Sequence, residues 1–206
     1  MDWTLYVITD RRWGKSHLEV ARAAIEGGAT AIQLRDKEAT TRELIEAGLA
    51  LRELTRERGV AFIVNDRVDV ALAVDADGVH VGQDDMPATL ARKLVGPDRV
   101  VGVSASTVEE ALQAEAEGAD YISASPVFST PTKPDAAPPI GLDGLRAFVE
   151  AVHVPVIAIG GINESNVEEV IGAGAAGVAV ISAVVAAPDI VAAARRLRQR
   201  IEKTRK

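Results

Sequence analysis

Along this chain, short aliphatic runs alternate with longer stretches whose apolar positions recur every three or four residues. The short runs fall at 5–9, 31–35, 61–65, 78–81, 100–104, 121–124, 156–159 and 178–182. Several are nearly continuously apolar, the pattern of strands buried on both faces. The intervening stretches predict helices at 16–26, 41–58, 107–117, 142–151, 164–173 and 188–203. A shorter helix begins after Pro87, and 67–74 holds a turn or two. Glycines at 27–28, 59, 96, 118, 172 and 174 fall where helices end or the chain turns.

Eight strand–helix units at a spacing of about 25 residues predict an α/β fold, a (βα)8 TIM barrel over residues 1–206 as a single domain. An open doubly wound sheet is the alternative, but closure removes the exposed edges that eight strands would otherwise leave. The triplets Gly28-Ala29-Thr30, Gly118-Ala119-Asp120 and Gly174-Ala175-Ala176 read as one helix-to-strand turn used repeatedly. One connection, 125–141, is too long for an ordinary turn and is rich in proline, serine and threonine. At the C-terminal end of a barrel strand such a loop suits an active-site lid, with an extended surface linker as the plain alternative.

Composition narrows the function. With 48% hydrophobic and 26% charged residues, the chain has the make-up of a globular protein. It has no cysteine, which excludes disulfides and thiolate metal sites. Its formal charge is -7, and residues 195–206 alone hold seven bases against one acid. The remainder carries 16 bases and 29 acids, which argues against a general nucleic-acid surface. Asp2, Asp10, Arg11 and Arg12 interrupt the first residues, so neither a signal peptide nor a membrane span is expected, and the expected location is cytoplasmic. Anionic substrates then require a local basic site or a metal.

Candidate chemistry sits at the ends of the predicted strands. After the second come Gln33, Arg35 and Lys37, with Gln33 and Arg35 on one side of the extended backbone. Arg35 and Lys37 suit phosphate, although such a pair also forms surface salt bridges. The third strand ends in Asn65-Asp66, and the fourth is followed by Asp84 and Asp85. Asp66 and Asp85 on adjacent strands suit Mg²⁺ shared with substrate phosphates, whereas solvated charge or helix capping is the simpler alternative for either alone. Asp84 reads as a spare charge. His80 is either a base or a hydrogen-bonded histidine near the rim, and His17 and His153 lack ligand spacing. Ser104 ends the fifth strand, and the long loop adds Thr130, Thr132 and Lys133. The glycine pair in VPVIAIGGI and the end of GVAVIS follow strands seven and eight, where barrels commonly cradle a phosphate with backbone amides. Gly161, Ile181 and Ser182 are the donors there, although either glycine turn alone is explained by structure. Together these residues give the barrel mouth two anion-binding ends.

The ordered set YVITD, QLRDK, ND, DGVHVGQDD, GVS, PVFSTPTK, IAIGGI and VIS covers nearly the whole chain and resembles the thiamine phosphate synthase family. That resemblance implies a barrel enzyme that joins hydroxymethylpyrimidine diphosphate to a thiazole phosphate, or its carboxylated form, and releases pyrophosphate. It implies Mg²⁺ on Asp66 and Asp85, with Gln33, Arg35, Lys37, Asn65 and Lys133 on the pyrimidine diphosphate and Ser104 near the pyrimidine. Arg35, Lys37, Lys133 and Ser104 are the residues it casts as catalytic. Thr130 and Thr132 would line the thiazole, and Gly161, Ile181 and Ser182 would grip its phosphate. Ser125 and Ser129 depart from the family's usual glycine and proline, which predicts altered loop flexibility. A thiazole tautomerase shares the barrel and phosphate cradle without the diphosphate and metal set, and a non-catalytic phosphate-binding barrel would need only the cradle.

Overall fold

Each aliphatic run becomes a parallel strand in the computed structural model, which describes residues 1–130 and 137–206. The strands are β1 Leu5–Thr9, β2 Ala31–Leu34, β3 Ala61–Asn65, β4 Gly78–Val81, β5 Val100–Ala105, β6 Tyr121–Ala124, β7 Val156–Ile159 and β8 Gly177–Val180. They close in sequence order, with β1 pairing both β2 and β8. In register, Tyr6 faces Ala31 on one side and Ala179 on the other. The closed barrel replaces the open-sheet alternative, because no strand in it is left with an unpaired edge.

The helices are α1 His17–Glu26, α2 Thr41–Arg58, α3 Val68–Ala73, α4 Ala88–Val95, α5 Val108–Ala116, α6 Gly141–Ala151, α7 Val167–Gly172, α8 Ser182–Val185 and α9 Ile190–Thr204. Capping boxes start two of them, Ser16 with Glu19 and Thr40 with Glu43, each satisfying orphan first-turn amides. Among the described residues no helix is long and apolar enough to cross a membrane.

The pattern and the structure part most clearly at three places. The run to Ser182 breaks after Val180, and Ser182 opens α8. Its apolar run reads through the break because α8 is itself apolar. The seventh helix starts at Val167 because Asn163, Ser165 and Asn166 hold a turn through their own side chains. Arg11–Trp13 forms a 3-10 turn that the charged sequence there does not announce, held by the Asp10 carboxylate on the Arg12 amide.

Alternation along the strands builds two apolar layers. Leu5, Val7, Ile32 and Val64 face the helices, whereas Tyr6, Ile8, Ile63, Tyr121 and Ile157 fill the barrel interior with Trp3. The three Gly-Ala triplets do form one repeated turn, each through a positive-φ glycine at 28, 118 and 174. The amide after each triplet's alanine then enters the sheet: Thr30 bonds to Leu5 O, Asp120 to Val101 O and Ala176 to Val156 O. These turns lie at the end of the barrel opposite the strand C-termini, leaving the other end to carry side-chain chemistry.

Four arginines of the C-terminal stretch have partners. Arg196 pairs with Glu164, Arg200 with Glu168 and Arg198 with Glu202, while Arg205 bonds Thr4 and the Ala176 carbonyl. The tail's charge therefore fastens α9 to its neighbours.

Candidate active site

A cavity of about 430 Å³ opens at the C-terminal ends of the strands. Gln33, Arg35, Lys37, Asn65, Asp66, Asp85, Ser104, Thr130, Gly161, Ile181 and Ser182 all line it. Thr132 and Lys133 lie outside the described residues. Residues from β2, β3 and β4 form one side; those following β7 and β8 come from the facing part of the ring.

On the first side, Arg35 and Lys37 follow β2 in a loop braced by Asp36. The Asp36 carboxylate takes the amides of Glu38 and Ala39 and the Arg11 guanidinium. Buried His17 lies 3.4 Å from that carboxylate and 2.7 Å from the Thr9 hydroxyl. Arg35 is itself steadied by Asp10 at 3.4 Å. Sequence gave no role to His17 or Asp36, since their partners are brought near by the fold.

Asp66 leaves β3 with φ 59, a left-handed conformation that aspartate tolerates better than most side chains, and its amide donates to His80 O at 2.7 Å. The turn sets its carboxylate beside that of Asp85. Burial and the neighbouring Asp85 carboxylate push the Asp66 carboxyl up to about 6, although Lys37 at 3.9 Å opposes this. Two carboxylates held together at such a cost form a site complementary to a cation. Asp85 accepts the Gly82 amide at 2.8 Å and does not cap α4, whose N-cap is Pro87. Among the described residues no third acid or histidine joins the pair. Two oxygen-bearing side chains without a full protein cage suit Mg²⁺, which keeps coordination positions for substrate oxygens and water.

His80 is the hydrogen-bonded histidine of the two alternatives. Its Nδ1 lies 2.9 Å from Tyr121 Oη and its Nε2 2.8 Å from Ser104 Oγ. Burial holds the imidazole down to about 4, so it is neutral near pH 7. The Ser104 carbonyl is pinned by the Gln83 amide at 2.7 Å.

On the other side, β7 runs into Gly160 and Gly161, with φ 103 and 64. A Cβ on Gly161 would meet Ser129 O at 2.6 Å and Phe128 Cβ at 2.8 Å, so the glycine lets the loop after β6 close against this turn. Asn163 and Asn166 both donate to the Gly161 carbonyl. The amides of Ser182 and Ala183, at the start of α8, precede the helix's first internal bonds, which run from Val184 and Val185 to the Ile181 carbonyl. Glycine turn and helix start thus place backbone donors on the cavity wall facing the acids and cations.

The thiamine monophosphate synthase family matches residues 5–184. A thiamine-phosphate synthase from Chloroflexus aurantiacus is 61% identical, over 99% of this chain and 95% of that protein. One from Moorella thermoacetica is 57% identical over 98% of both. A solved thiamine phosphate pyrophosphorylase from Pyrococcus furiosus superposes with a TM-score of 0.93 at 52% identity, covering 98% of this chain and 97% of that one. A 3-hexulose-6-phosphate synthase at 22% identity and TM-score 0.74 shares the fold.

Proposed function

This chain belongs to the thiamine monophosphate synthase family, and on that premise we infer how its pocket carries out the family's reaction. The enzyme is a transferase that condenses 4-amino-2-methyl-5-(diphosphooxymethyl)pyrimidine with 4-methyl-5-(2-phosphoethyl)thiazole. The products are thiamine phosphate and pyrophosphate, with CO₂ as well when the thiazole carries its carboxylate. The observation carrying the residue assignment is one cavity with cations and paired acids on the β2–β4 side and backbone donors after β7 and β8.

Arg35 and Lys37 hold the diphosphate of the pyrimidine substrate, joined by Asn65 and, from the resemblance alone, Lys133. Magnesium between Asp66 and Asp85 would neutralise charge on the departing pyrophosphate. The C–O bond at the pyrimidine methylene breaks first, and the electron-rich aminopyrimidine bears the resulting positive charge. The thiazole nitrogen then supplies its lone pair to that carbon. Gln33 and Ser104 hold the pyrimidine in line, and Thr130 and, from the resemblance alone, Thr132 border the thiazole. Gly161, Ile181 and Ser182 bind its phosphate, and Ser125, Pro126, Thr130 and Ala137 of the long loop line the same cavity. No side chain forms a covalent intermediate; the protein contributes alignment, charge complementarity and water exclusion. A tautomerase would have no use for the Asp66–Asp85 pair.

Incubation with both substrates, with and without Mg²⁺, should yield thiamine phosphate and pyrophosphate together and only with the metal. Absence of the coupled products would overturn this function.

A further inference from the structure

Beneath the pocket, five side chains from five strands form an unbroken hydrogen-bonded line across the barrel. Gln33 Nε2 donates to Tyr6 Oη at 2.7 Å. Tyr6 Oη lies 3.2 Å from Tyr121 Oη, which lies 2.9 Å from His80 Nδ1. His80 Nε2 then meets Ser104 Oγ at 2.8 Å. Tyr6, Tyr121, Gln33 and His80 are all buried, so the two phenol protons and the imidazole proton find their acceptors within this line.

Proton counting gives the line a direction. Tyr6 receives the Gln33 amide proton, so its own hydroxyl proton goes to Tyr121. Tyr121, having accepted, donates to His80 Nδ1. A neutral imidazole that accepts at Nδ1 carries its proton on Nε2 and donates to Ser104 Oγ. Ser104, now an acceptor toward His80, has its own O–H left for the pocket. At the opposite end, the Gln33 amide has turned its nitrogen to Tyr6, which leaves Oε1 for a ligand in the cavity that it lines. Burial raises both tyrosine hydroxyls and disfavours a charge on the enclosed imidazole, in keeping with the neutral members this count requires.

The geometry points to Tyr6, Tyr121 and His80 as positioning residues, a one-way relay that makes Gln33 an acceptor and Ser104 a donor toward the substrate's aminopyrimidine ring. The inference rests on the synthase reading for the identity of that ring. An aminopyrimidine edge offers an exocyclic N–H donor beside a ring-nitrogen acceptor, the complement of such a pair. Reversing the whole line would need His80 to change tautomer and Gln33 to turn its amide over, so the donor at Ser104 and the acceptor at Gln33 are set together. The strand sequence makes room for this line. A Cβ on Gly102 of β5 would fall inside the Tyr121 ring, so only glycine there lets the phenol reach across.

The test is the ¹⁵N NMR spectrum of His80 in the uniformly labelled protein, assigned by difference from His80→Gln among three histidines. A protonated Nε2 and a pyridine-type Nδ1 are expected. Tyr121→Phe should lose that tautomer bias and lower kcat/KM for the pyrimidine diphosphate roughly tenfold, the worth of one buried hydrogen bond, with the thiazole phosphate KM unchanged. Tyr6→Phe cuts the line upstream, so it should keep the His80 tautomer yet weaken use of the pyrimidine diphosphate, which serves even if Tyr121→Phe fails to fold. A wild-type Nδ1–H tautomer overturns the relay, as does a Tyr6→Phe enzyme with unaltered pyrimidine kinetics. A wild-type protein with the expected tautomer but no condensation activity would count against the proposed function and leave the relay's direction standing.

Discussion

Lys37 Nζ stands 3.9 Å from Asp66 Oδ2 at the mouth of the barrel. A cation and half of a carboxylate pair thus share one corner of the cavity, where a diphosphate needs positive charge on its free oxygens and a metal needs negative charge behind it. The pair's strain without a metal is measurable. Because the folded Asp66 carboxyl is raised to about 6, the metal-free fold is favoured while this group is protonated and loses that contribution as pH rises through 6. At pH 7.5 without Mg²⁺, Asp66→Asn should therefore be more stable than the wild type, by up to about 3 kcal/mol in denaturant melts. Added Mg²⁺ should stabilise the wild type and leave the variant's melting point unmoved. A wild type that is the more stable of the two without metal would contradict the paired-carboxylate account.

Arg35 faces the cavity with Asp10 behind it. If it stabilises pyrophosphate as the C–O bond breaks, Arg35→Ala should lower kcat by about 10²–10³-fold, the scale of losing one preorganised charge-stabilising donor. The thiazole phosphate KM should hold, since that phosphate is assigned to the other wall. Steady-state kinetics with each substrate varied in turn separates the two outcomes, and a rise confined to the thiazole phosphate KM would reassign the residue.

The facing wall has its own probe in Gly161. Alanine there must adopt φ 64 and push against Ser129 O and Phe128. The left-handed conformation alone costs about 1–2 kcal/mol. Gly161→Ala should raise the thiazole phosphate KM and lower the melting temperature, with the pyrimidine diphosphate KM little changed. Equal effects on both substrates would mean that the turn supports the whole mouth rather than one phosphate.

His80 supplies a pH signature of opposite sign to that of Asp66. Its folded value of about 4 lies below the ordinary histidine range, so between pH 4 and about 6.5 the unfolded chain binds a proton that the fold refuses. Stability should climb with pH across that window by up to about 3 kcal/mol from this group and level off above it. His80→Gln removes the contribution, so the difference between the two proteins' unfolding free energies should narrow as pH falls and Asp66 cancels in the comparison. A pH-independent difference would mean that His80 titrates normally.

The barrel was legible because its strands are buried on both faces and so appear as aliphatic runs, and five of the eight have their predicted ends. Arg35, Asp66, Asp85 and Gly161 were legible as candidates because charged residues and glycine pairs stand out where such runs stop. What stayed hidden depends on closure. Tyr6 and Tyr121 are 115 positions apart and meet only inside the ring, so nothing local marks them as partners. One signal was present: Gly102 interrupts the β5 run, and a glycine inside a strand announces that something bulky approaches. The start of α8 was lost for a different reason, since Ile181 continues the apolar run after the strand has ended.

The pairing of Leu5 with Val178 joins the first strand to the last. During synthesis the outer edge of β1 has no partner until more than 170 further residues have left the ribosome. Until then its backbone donors and acceptors, and the unfinished face of the Tyr6–Tyr121 line, remain available to wrong neighbours. The same seam that leaves the finished barrel without an edge makes its assembly wait on the final strand, so a chain stalled before β8 should be a client for chaperones rather than a smaller working enzyme.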